Sequence, residues 1–132
     1  MRQPYQIIVI PYHKNLYAVL QRKSGHWQWV SGGGEDNETP LETAQREVKE
    51  EIGIERDIIE LKSLAYIPSQ NIGHWKDKNI LIPEYSFAVE TDSFNLSISD
   101  EHIRYEWLTY EQALERLEWG SNKEALRELN LA

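Results

Sequence analysis

Apolar and polar positions fall into blocks along this chain, and each block carries the period of one kind of element. Gln6–Pro11 (QIIVIP) is a β-branched run of buried-strand type. Leu16–Gln21 (LYAVLQ) follows it across His13-Lys14-Asn15, so the two read as a hairpin. His26–Ser31 (HWQWVS) reads as a further short strand leading into three glycines. Leu61–Pro68 and Ile80–Glu90 read as two more, with the polar loop SQNIGHWKDKN between them. Ile103–Leu108 (IRYEWL) alternates, which puts Ile103, Tyr105 and Trp107 on one face.

Helix signals interrupt these strands. Thr39-Pro40-Leu41-Glu42 is a capping box with proline at the first helical position. Leu41, Ala44, Val48 and Ile52 then form a single apolar stripe, and Gly53 stands where a helix closes. Two further capping boxes, Thr109-Tyr110-Glu111-Gln112 and Ser121-Asn122-Lys123-Glu124, predict helices near 110–118 and 122–130. Strands mixed with three helices make an α/β sandwich the economical architecture. With no internal repeat, low-complexity tract or linker, residues 1–132 read as one domain.

Composition narrows the class. A 40% apolar content describes a globular chain, and no apolar run approaches the ~20 residues that cross a bilayer. The first residues, MRQPYQIIVIPYHK, lack a signal-peptide cleavage site, so a cytoplasmic location is expected. The absence of cysteine excludes disulfides, thiolate metal sites and cysteine nucleophiles. The net charge of −8, without a basic stripe, argues against a nucleic-acid polymer as partner. A small phosphorylated ligand stays possible, because a bound metal reverses the local sign.

The acids are concentrated between Glu35 and Glu51. Glu47, Glu50 and Glu51 stand at i, i+3 and i+4, on one side of the predicted helix, where they repel one another unless a cation lies among them. Hard oxygen ligands suit Mg²⁺ or Mn²⁺, and such ions accompany phosphate chemistry. The apolar stripe leaves the three glutamates off the core side, facing a cleft. Gly32, Gly33 and Gly34 read as a turn whose backbone can approach phosphate or metal closely. Neither GxGxxG nor GxxxxGK[ST] is present, so no dinucleotide fold or P-loop is predicted.

Gly32, Glu38 and the run Arg46-Glu47-Val48-Lys49-Glu50-Glu51-Ile52-Gly53-Ile54 have the identities and spacing of the Nudix box, and the chain resembles the Nudix hydrolases. The resemblance implies a central mixed β-sheet between helices, with the box as a loop–helix–loop. It implies Glu47, Glu50 and Glu51 as metal ligands, Glu38 and Arg46 as their supports, and a metal-directed carbonyl near Ser31 or Gly32. Trp27-Gln28, Val30-Ser31-Gly32, Glu101-His102, Tyr105-x-Trp107-Leu108 and Ser121-Asn122 look like segments of the bacterial dihydroneopterin triphosphate pyrophosphatases, also described as dATP pyrophosphohydrolases. By that likeness Glu101 is a further metal ligand or general base, Glu50 and Glu51 share the catalytic work, and Arg22 and Arg2 join Ser31, Gly32 and Gly33 against substrate phosphates. The implied activity is Mg²⁺-dependent release of pyrophosphate from a dihydroneopterin or (deoxy)nucleoside triphosphate. Other Nudix substrates (dinucleoside polyphosphates, nucleotide sugars, oxidised nucleotides) and a non-catalytic nucleotide sensor are the alternatives.

Two departures stand out. Asn37 replaces the usual glycine before Glu38 and tolerates the left-handed backbone expected there. Residues 66–88 resemble the subfamily poorly. The tryptophans read as core, Trp107 and Trp119 foremost, with Trp27, Trp29 and Trp75 as candidates to stack on a heterocycle. His13, His26, His74 and His102 share no ligand spacing and read as surface or loop residues, His74-Trp75 as a candidate lid.

Overall fold

A computed structural model describes residues 1–131. Its elements are β1 (Arg2–His13), β2 (Leu16–Arg22), β3 (Trp27–Gln28), β4 (Val30–Glu35), α1 (Pro40–Ile52), β5 (Ile58–Pro68), β6 (Leu81–Glu90), β7 (His102–Leu108), α2 (Tyr110–Arg116) and α3 (Gly120–Leu131). The strands form one seven-stranded sheet in the order β3-β2-β1-β6-β5, with β4 added on β1 and β7 on β2. β1 and β6 run parallel while the other pairs are antiparallel, so the sheet is mixed.

β1 runs through the centre with both faces covered, which is why its sequence is continuously apolar. Ile7 and Val9 point to one core, with Ala44, Val48 and Ile52 of α1. Ile8 and Ile10 point to the other, with Ala113 and Leu117 from the α2 region and Ala125 and Leu126 of α3. The result is an α/β sandwich of helices on both sides of a sheet. The β1–β2 hairpin closes through Lys14 (φ 49°) and Asn15 (φ 67°), both left-handed, the conformation a two-residue hairpin loop needs.

Local signals place α1 well. Thr39 Oγ1 accepts from Glu42 N at 3.2 Å and Glu42 Oε1 accepts from Thr39 N at 2.9 Å, completing the capping box. Gly53 ends the helix at φ 71°. The box at Thr109 and Gln112 also forms. The one at Ser121 does not: α3 begins at Gly120, so Ser121 lies inside the first turn.

Further expectations are corrected. Gly32–Gly34 lie in strand β4, not in a turn. The left-handed residue before Glu38 is Asp36 (φ 48°), not Asn37. Ile103 is 51% exposed and Trp119 45%, whereas Trp29 is wholly buried. Trp29 is fixed by Asn122, which accepts from its backbone N at 3.1 Å and from its indole Nε1 at 2.9 Å. Trp29 is therefore core and unavailable for stacking. Trp29→Ala is expected to cost about 3–5 kcal/mol of stability in urea denaturation, because the site cannot collapse around so large a void.

Candidate active site

The site is assembled where β4 passes α1. A Cβ at Gly32 would stand 2.3 Å from the Glu47 carboxyl carbon, and one at Gly33 would stand 2.0 Å from Arg2 Nε. At Gly34 the same atom would meet the Tyr5 ring at 2.2 Å. The glycines thus make room for side chains from α1 and β1 to lie on the strand. None of the three has a left-handed φ.

Arg46 ties the acidic helix to this strand. Its Nε and Nη2 donate to Glu38 at 2.7 and 3.1 Å, and Nη2 also donates to the Gly33 carbonyl at 2.9 Å. Its Nη1 donates to Glu47 Oε1 at 2.7 Å and to Glu50 Oε2 at 3.2 Å. This guanidinium holds the Glu38 carboxyl down at about 2, with Glu35 N and Thr43 Oγ1 as further donors. Arg46 and Glu38 form a brace that orients Glu47.

Glu51 is 2% exposed, and neither of its oxygens receives a hydrogen bond from the described residues. The expectation that it faces an open cleft is corrected: it is sealed at the inner end of the acidic group. Burial pushes its carboxyl far above the usual carboxylate range, the adjacent Glu47 and then Glu101 push the same way, and Arg22 opposes them. Glu50 points out from the helix, with its side chain 58% exposed. Glu101 is exposed on the approach to β7 and lines the cleft.

His102 also departs from expectation. Its ring is completely buried, Nε2 lies 3.4 Å from Glu51 Oε1, and neither ring nitrogen has a hydrogen-bond partner among the described residues. Burial and then Arg22 lower its pKa, so the ring is neutral at pH 7 and supplies no charge to Glu51. Its sequence signal was the pairing with Glu101, which spacing alone does not interpret.

Among the described residues, no three histidine or acidic side chains stand together as a preformed metal cage. The residues nevertheless fit a hard divalent cation. Glu51 is a buried carboxyl without a donor, Glu47 adjoins it, Glu101 lies close enough to raise it, and all offer oxygen only. Burial of such a group is costly unless a positive charge accompanies it.

A cleft of about 520 Å³ opens beside this group. Arg2, Arg22, Ser31, Gly32, Gly33 and Glu47 line it, so the residues expected at phosphates share one cavity. The Gln6 amide, turned to satisfy both neighbours, donates to the Gly32 carbonyl at 3.0 Å and accepts from Arg2 Nη2 at 2.7 Å. Trp119, Ile67, Ile72 and the buried Glu84 also line the cleft, and sequence reasoning missed them. For Glu84 the available signal was an acid at a core-facing position of β6, between Ile82 and Ser86. Trp75 and His74 pack on each other at 4.8 Å between ring centroids and are not part of the cleft wall.

A sheet sandwiched by helices, with carboxylates set against a glycine strand beside an arginine-lined cleft, suits a phosphorylated ligand and a hard cation together. The model of the NUDIX domain matches residues 2–129, and the chain belongs to the Nudix family of hydrolases, which act on phosphorus-containing anhydrides. A solved structure from Listeria monocytogenes, assigned to the NUDIX hydrolases, superposes with a TM-score of 0.87 and 41% identity, covering 98% of this chain and 93% of that one. The dihydroneopterin triphosphate diphosphatase of Escherichia coli K12 is 30% identical, over 96% of this chain and 92% of its own length. The asymmetrical bis(5'-nucleosyl)-tetraphosphatase of Mus musculus is 31% identical, over 85% and 76%. No helix among the described residues is long and apolar enough to cross a membrane.

Proposed function

We propose that this Nudix hydrolase is a Mg²⁺-dependent pyrophosphohydrolase that converts dihydroneopterin triphosphate, or a (deoxy)nucleoside triphosphate such as dATP, to the monophosphate and pyrophosphate. The observation that carries the reading is the buried, donor-less Glu51 behind Glu47, which lines a cleft that also presents Arg2 and Arg22. Likeness to the E. coli enzyme over nearly the whole of both chains supports the substrate class.

Glu47, Glu51 and Glu101, with Glu50 on the outer side and a carbonyl of Ser31 or Gly32, would hold the cation (Mn²⁺ could replace Mg²⁺). When bound, it supplies charge neutralisation on phosphate oxygens and a more acidic water. Arg22 and Arg2 pair with phosphate oxygens and draw the anhydride into the cleft. Glu101, exposed at the cleft, takes the proton of the attacking water. Arg46 and Glu38 keep Glu47 in one rotamer, so that little reorganisation accompanies the reaction.

The test is a phosphate-release screen over pteridine and nucleoside triphosphates with Mg²⁺, followed by hydrolysis of the best substrate in H₂¹⁸O. Pyrophosphate as the released product and label in one of the two products are expected. Release of single phosphates would exclude the assignment. The mouse relative favours a second reading, cleavage of a dinucleoside tetraphosphate. Faster turnover of diadenosine tetraphosphate than of any triphosphate would select it.

A further inference from the structure

We propose that Glu84 sets the specificity of this cleft by accepting two adjacent N–H groups from the edge of the substrate's heterocycle, which selects a 2-amino-4-oxo ring over adenine. The inference rests on the reading of the cleft as a heterocyclic triphosphate site.

Glu84 sits in the middle of β6 and is only 9% exposed, yet it lines the cleft. Its Oε1 is buried without a hydrogen-bond partner among the described residues. Acidic side chains are seldom buried unless paired. Burial pushes its carboxyl above the usual carboxylate range, and the Ser121 hydroxyl in the first turn of α3 opposes this, so donors from a ligand are what would favour its charged form. Positions 82, 86 and 88 of the same strand are also buried and are Ile, Ser and Ala. A side chain without charge would serve the fold at 84 equally well, so the carboxyl answers to something other than packing.

Its place in the sheet separates it from the anhydride machinery. Glu84 is in register with Gln6 of β1, and Gln6 with Gly33 of β4. Two strand spacings, about 10 Å, therefore lie between the Glu84 backbone and the strand on which Glu47 and Arg2 rest. The same cleft wall also carries Ile67, Ile72 and the half-exposed Trp119. An aromatic side chain and a buried carboxyl in one cleft suit a planar, polar-edged ring.

The chemistry chooses the ring. A carboxylate only accepts, through two oxygens side by side. An amino group next to a ring N–H presents two parallel donors and satisfies both. Adenine presents an amino group next to a ring nitrogen lone pair, so one oxygen would face an acceptor. A ring that lacks the amino group leaves one oxygen unpaired in a buried place, and sites of that kind reject such ligands strongly.

Calorimetry on the metal-free protein with dGMP, dIMP and dAMP tests this without requiring turnover. The wild type is expected to bind dGMP at least about tenfold more tightly than dIMP, which differs by the amino group alone, and more tightly than dAMP. Glu84→Gln keeps the volume, and its affinities for dGMP and dIMP should fall within about threefold of each other, since its amide offers a single acceptor. Equal binding of dGMP and dIMP to the wild type, or tightest binding of dAMP, would overturn the assignment even if the variant failed to fold. So would a folded variant that kept the wild-type preference. Failure of the pyrophosphohydrolase reading would show instead as no pyrophosphate release from any triphosphate with Mg²⁺, whatever the ranking of monophosphates.

Discussion

Glu51→Gln is expected to release pyrophosphate at least about 10³-fold more slowly than the wild type at saturating Mg²⁺, while remaining folded. Gln keeps the shape of the buried side chain and removes the charge that a cation must find. The same variant should be more stable than the wild type in the absence of metal. The folded Glu51 carboxyl titrates far above the carboxylate range because it is buried against Glu47. The native state therefore keeps a proton that the unfolded chain releases once pH exceeds about 4.3. Stability from this group is complete below that pH and is lost as pH rises toward the folded value, at most about 1.4 kcal/mol per pH unit. Urea midpoints of the metal-free wild type should fall between pH 5 and pH 8, and the slope should flatten in the variant. Near-normal turnover in Glu51→Gln would show that the metal does not rest on this carboxyl. An unchanged pH slope would show that its burial is already compensated.

Gly32→Ala is the second large effect, and it separates activity from stability. The added Cβ would fall 2.3 Å from the Glu47 carboxyl carbon, so the carboxylate must leave the strand. That atom is the end of a flexible side chain, and Gly32 has no left-handed φ, so the fold loses little. The loss of one oriented charged group from the reacting centre is worth about 10²–10³ in turnover. Melting temperature within a few degrees of the wild type, with kcat reduced by about 10², is the expected pair of results. Gly34→Ala would show the converse, since its Cβ meets the Tyr5 ring, whose hydroxyl is tied to the Glu38 carbonyl and to Thr43 Oγ1, and over-packing costs about 1–3 kcal/mol. If Gly32→Ala kept full activity, Glu47 would have no part in the chemistry.

The acidic helix was legible from its residues because its signals are local. A capping box, a proline, an apolar stripe and a closing glycine all lie within 15 residues of one another, and α1 forms where they predict. Arg46 and Glu38 were legible only through the family resemblance. They stand eight positions apart in the chain, and the helix entry that brings the guanidinium onto the carboxylate is not a periodic feature. The three glycines were misjudged for a related reason. Glycine signals backbone freedom in a sequence, yet here it provides space for side chains that arrive from β1 and α1.

The histidine and tryptophan assignments failed where burial depends on sheet order. His102 was read as a surface or loop residue, and pairing of β7 with β2 carries it beneath Glu51. Trp29 and Trp119 exchanged their expected roles because Asn122 of α3 reaches back to Trp29, while Trp119, just ahead of that helix, is left in the cleft wall.

The order of residues alone sufficed for the α/β class, for α1 and for most of the strands, and it pointed to the carboxylates of the box, because periodicity, capping and charge repulsion act between near neighbours in the chain. Which carboxyl is sealed from water, which ring is buried and which acid reads the cleft all depend on strands far apart in sequence. Desolvation is a property of the packed surroundings, and those exist only once β1, β4, β6 and β7 have closed around α1 and α3.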